Sequence, residues 1–141
     1  MHQITLLGAA DAQRAIAAIQ AELARLGKPA AIAVADATGE LIALLRLDGA
    51  PVNCARNAGN KAFSAAREGK PSRAIGKAVR DPATGFDIAY YGDPRYIGWG
   101  GGIPVLVNGK SVGSVAISGL PEDEDARIAQ LGVDAILAAG P

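Results

Sequence analysis

The stretch "GWGGGIPVLVNGKSVGSVAISG", residues 98–119, decides the fold. Asn108-Gly109 stands between two apolar runs, 103–108 and 111–118. A two-residue turn of this kind needs positive φ at both positions, and Asn-Gly supplies it, so the stretch predicts a β-hairpin. A hairpin makes the sheet antiparallel at this point. Three consecutive glycines, Gly100 to Gly102, precede the first run. Glycine at the start of a strand weakens it unless the backbone must bend sharply or approach something closely.

Working outward, "AAIAVADATGELIALLRLDG" (30–49) reads as two more strands joined by a tight turn at Ala37-Thr38-Gly39. Both runs are almost continuously apolar, which predicts strands covered on both faces, by helices or by another subunit. Residues 10–27 predict a helix, with Ala12, Ile16, Ile19, Leu23 and Leu26 on one stripe and Gly27 and Pro29 ending it. Further helices are predicted over 52–69, 71–80 and 122–139, the last with acidic residues in its first turn, where they suit the helix dipole. Residues 81–99 read as irregular. The order is α-β-β-α-α-β-β-α, an α/β (α+β) chain with an antiparallel sheet, in one domain over residues 1–141.

Bulk properties narrow the function. A chain of 141 residues suits one compact core. Half of them are apolar, and 14 basic residues balance 14 acidic ones. That balance, without a basic cluster, argues against nucleic acid as a partner. A single cysteine, Cys54, allows no internal disulfide framework. The start "MHQITLLGAADAQ" does not read as a secretory signal, and no apolar stretch approaches a membrane span. The expected setting is the cytoplasm, with no membrane partner. Abundant Ala and Gly, few aromatics and a near-neutral surface point to a homo-oligomer.

Four separated segments carry a resemblance. "PAAIAVADATGELIALLRLDGAP" (29–51), "NKAFSAAREGKPS" (60–72), "GGGIPVLVNGKSVGSVAISG" (100–119) and Asp125 occur in the order found in the haem-degrading-domain family. This HbpS/GlcG-like family also includes the C-terminal part of PduO, and the chain resembles it over almost its whole length. The resemblance implies a profilin-like or PAS-like fold, oligomers from dimers to larger rings, and ligand sites at or near subunit contacts. It also implies haem as a cofactor or ligand.

Candidate site residues fall into three groups. On the second helix, Asn53, Asn57, Asn60, Lys61 and Ser64 share a side, opposite Ala55, Ala58, Ala62 and Ala66. Lys61 read alone suits a solvated face. Matched to the family's "KA" lysine, it becomes a cavity-lining cation for a carboxylate or phosphate. Gly100, Gly101 and Gly102 allow backbone N–H groups to converge on an anion, or simply make a bulge. The segment "DIAYYGDPRYIGW" (87–99) concentrates Tyr90, Tyr91, Asp93, Arg95, Tyr96 and Trp99, which suits either a flat carboxylated ligand or a subunit contact. Asp125 is read as a helix cap. His2 and Cys54 do not make a catalytic pair, and no metal site is predicted.

Two functions stay open from these residues, with a bare assembly module as a third. The first is an oligomeric protein binding haem or a related tetrapyrrole, with Asn57, Lys61, Arg95, Trp99 and Gly100–Gly102 contacting it. The second is a cofactor-free enzyme acting on a carboxylated or oxo substrate. There Lys61 holds the anion and Tyr91 or Tyr96 donates the proton.

Overall fold

A computed structural model describes residues 1–140. In chain order the elements are α1 (Ala9–Leu26), β1 (Ala31–Asp36), β2 (Leu41–Arg46), α2 (Asn53–Glu68), α3 (Ser72–Val79), a single 3₁₀ turn (Ile88–Tyr91), β3 (Gly102–Val107), β4 (Lys110–Ser118) and α4 (Glu122–Ala138). The four strands form one antiparallel sheet in the order β2-β1-β4-β3. Both predicted hairpins are present, and Asn108 and Gly109 take φ of 51° and 75° as their turn requires. The first turn is closed by Asp36, whose Oδ1 accepts from the Thr38 N–H at 2.8 Å and the Thr38 hydroxyl at 2.6 Å.

Two unlike layers cover the sheet. Ile32, Val34, Val115 and Ile117 face α1 and α4, where Ile19, Leu23, Ile128 and Val133 complete a core of large aliphatic side chains. Ala31, Ala33, Ala35 and Ala116 face α2, which answers with Ala58, Ala62, Ala66 and Cys54. Alanine against alanine lets α2 lie close to the sheet. Close approach brings backbone atoms of helix and strand within reach of short polar side chains: the Ser114 hydroxyl donates to Ala62 O at 2.6 Å.

The strands differ from expectation in one respect. β1 and β4 are buried on both faces, but β2 is an edge strand whose Leu41 and Leu44 stay 49% and 44% exposed. The near-continuous apolar run of β2 is therefore only partly covered on one side among the described residues. No helix among the described residues is long and apolar enough to cross a membrane.

Candidate functional site

Apart from the tyrosines, the predicted residues gather in two places beside α2, one closed and one open.

The closed place surrounds Lys61. Its position midway along α2 aims the side chain at the C-terminal end of β4 and the first turn of α4. Lys61 is 1% exposed, and its Nζ donates to Ile117 O and to Asp125 Oδ2, both at 3.1 Å. Asp125 also accepts from the Leu120 N–H at 3.0 Å, and the same carboxylate neutralises the buried ammonium. The bond to Leu120 ties the loop ahead of α4 and is not the expected cap, because Asp125 sits inside the first turn and the cap position is Pro121. Burial holds the Asp125 carboxyl above its ordinary range, and the Lys61 charge with the N–H groups of Leu120 and Gly119 pulls it back down. The Trp99 ring closes the cluster, its centroid 5.2 Å from Nζ.

The glycine run is explained here. A Cβ on Gly101 would stand 2.6 Å from Ile117 O and 3.0 Å from Lys61 Nζ. One on Gly102 would stand 2.4 Å from Lys61 O. The backbone thus passes so close to α2 and the ammonium that no side chain fits. Two N–H groups of the run already have acceptors: Gly100 donates to Glu122 Oε1 at 2.6 Å and Gly102 to Ser72 Oγ at 3.0 Å. No buried side-chain nitrogen or oxygen among the described residues lacks a partner. Lys61, Trp99 and Gly100–Gly102 therefore come together, but in a closed cluster with the chain's own carboxylates in the anion positions and not around the expected ligand cavity.

The open place is a groove of about 580 Å³ between β2 and the outward side of α2. Leu41, Leu44 and Val52 make it apolar, and Asn53, Asn57 and Asn60 add amides. Arg56 and Arg95 supply the cations. Arg95 lies 4.0 Å from the Phe63 ring centroid and is paired with Asp93 and Glu40, which raises its pKa further. Arg56 makes no ion pair among the described residues. Of the sequence candidates, Asn53, Asn57, Asn60 and Arg95 belong to this groove.

Tyr91 and Tyr96 belong to neither place. Their rings stack with centroids 4.1 Å apart, and Tyr96 sits edge-on to Phe63. The Tyr96 hydroxyl accepts from Arg67 Nε at 3.1 Å. Burial, with the charge of Glu68 behind it, holds the Tyr91 phenol above its ordinary value. The irregular segment is fastened to α2 and α3 by hydroxyls: Ser64 Oγ accepts from the Ile97 N–H at 2.9 Å, and Ser72 Oγ donates to Trp99 O at 2.7 Å.

Sequence reasoning missed Leu41, Leu44, Val52 and Arg56. The apolar excess of β2 was the available signal, since it exceeds what an edge strand can bury.

Whether the residues fit haem turns on the donors. The groove offers apolar surface for a flat ring and guanidinium groups for its carboxylates. It presents amides, guanidiniums and a carboxylate, but no imidazole, thiol, thioether or phenol among its lining residues. The chemistry of its lining is compatible with an apolar ring bearing carboxylates and does not fit an iron held by the usual side chains. No group of three or more His, Cys, Asp or Glu among the described residues could hold a metal ion.

Comparison with known proteins adds the family. Residues 7–134 match the family model described as haem degrading protein HbpS-like. An uncharacterized 15.0 kDa protein in the dhaT-dhaS intergenic region of Citrobacter freundii is 29% identical over 132 residues, spanning 94% of this chain and 93% of that protein. The crystal structure of Klebsiella pneumoniae protein ORFY superposes with a TM-score of 0.91 at 28% identity, covering 98% of this chain and 95% of that one. PduOC, solved as a haem complex, shares the fold at a TM-score of 0.85 and 22% identity, covering 94% of this chain and 96% of its own.

Proposed function

Because the chain belongs to the HbpS-like family of haem degrading proteins, we propose that it binds haem or a related planar tetrapyrrole in the groove between β2 and α2. The observation that carries this reading is the pairing, in one groove, of uncovered leucines with two arginines. A flat apolar macrocycle removes Leu41, Leu44 and Val52 from water, at about 25 cal/mol per Å² of apolar surface. Its carboxylates reach the guanidiniums of Arg56 and Arg95, with Asn57 as an added donor. Haem is the ligand in the PduOC complex, a chain of the same fold. The groove runs along an edge strand, so a second copy of the chain beside β2 would place the ligand near a subunit contact.

Titration with ferric haem, followed by the Soret band, tests the reading. A saturable shift is expected for the unmodified protein, and a weakened one for Leu44→Glu and for Arg56→Ala. No shift in the unmodified protein overturns the reading. So does a shift that survives both groove substitutions and is lost in Trp99→Ala, because the ligand would then sit over Lys61.

A further inference from the structure

No side chain of an iron-ligating type lines the groove: Met1 lies beside His2 in the exposed start of the chain, Tyr90 is exposed on the 3₁₀ turn, and the others have another position or another task. His2 stands in the exposed segment ahead of α1, and that segment is anchored by Leu7 in the layer of α1 and α4, on the opposite face of the sheet from α2. Cys54 is buried in the alanine layer, where a Cβ on Gly119 would lie 3.5 Å from its Sγ. Tyr91 and Tyr96 are stacked on each other, and the Tyr96 hydroxyl is held by Arg67. Lys61 is bonded to Asp125 and Ile117. What lines the groove instead is apolar side chains, amides, two guanidiniums and the carboxylate of Glu40. Arg56 is the cation there without an ion pair among the described residues, and Arg95 is pre-oriented by its seat on Phe63.

We infer that the groove recognises the carboxylated macrocycle and not the metal, so this chain is a porphyrin carboxylate receptor indifferent to iron. The inference rests on the groove reading of the preceding subsection and specifies its ligand class. Binding energy comes from the ring faces against Leu41, Leu44 and Val52 and from the carboxylates on Arg56 and Arg95. Iron ligation, which separates haem from its metal-free parent, contributes nothing.

The experiment titrates the full-length protein in parallel with ferric haem, metal-free protoporphyrin and the dimethyl ester of that porphyrin. Trp99 fluorescence and ligand absorbance are both read. Haem and metal-free porphyrin are expected to bind with dissociation constants within about threefold of each other, and the ester at least about tenfold more weakly. Bound ferric haem is expected to keep a high-spin electron paramagnetic resonance signal that is unchanged in His2→Ala and Cys54→Ser. Haem binding tighter than the metal-free ring by about tenfold or more overturns the inference, as does a low-spin signal abolished by either substitution. In both of those outcomes the groove reading survives. If neither ring binds, the groove reading fails and takes the inference with it.

Discussion

The two sides of α2 treat charge in opposite ways. On the inward side, Lys61 is fully enclosed, and Asp125, Ile117 O and the Trp99 ring meet its demands. On the outward side, Arg56 makes no ion pair among the described residues and borders open apolar surface, beside an Arg95 that is paired at the surface with Asp93 and Glu40. Read alone, Lys61 suits a solvated face, and only its match to the family's lysine makes it a ligand holder. The structure shows how such a cation can be structural: alanines bring the helix so close to the sheet that a long side chain must thread between strand end and helix start, where a carboxylate has to meet it. The contrast teaches that an enclosed charge must be met by the chain itself, whereas the half-exposed leucines beside Arg56 are left for solvent or a partner to cover.

Substitutions can break that contrast, beginning with the inward side. Asp125→Ala leaves a buried ammonium unpaired and is expected to cost about 3–5 kcal/mol, read as a fall in the urea midpoint. Gly102→Ala drives a Cβ against Lys61 O and is expected to cost about 1–3 kcal/mol by the same measurement.

The third prediction concerns pH. The folded protein holds the Asp125 proton more tightly than the unfolded chain does, because burial raises the carboxyl. The stability this proton contributes is full at low pH and is lost as pH rises from the ordinary carboxylate range through the raised value. Lys61→Met removes the ammonium that lowers that value, so its stability relative to the unmodified protein should fall further as pH rises. Urea midpoints across this window check the slope, and Asp125→Asn added to Lys61→Met should flatten it.

The smallest stability effect belongs to the outward side. Leu44→Glu should change stability by less than about 0.5 kcal/mol, since the side chain is already half in water. If it costs as much as Asp125→Ala, Leu44 is part of the core and the contrast collapses.

Much of the architecture was legible along the chain, and the reason is local. Asn108-Gly109 can hardly be anything but a hairpin turn, and the stripe from Ala12 to Leu26 has the period of a helix. Matched segments from 29 to 125 then fixed the family. The Lys61–Asp125 pair was half legible: each residue stood out, but 64 positions separate them, and nothing local says that they meet. The glycine run announced a close approach without saying to what.

The sequence by itself determined the elements, their order and the turns, because these follow from periodicity and backbone preference within a few residues. Only the tertiary structure decided which face of α2 closes on its own charges and which stays open. That outcome depends on the order of strands in the sheet, β2 at the edge and β1 inside. Two equally apolar runs thereby received different amounts of cover.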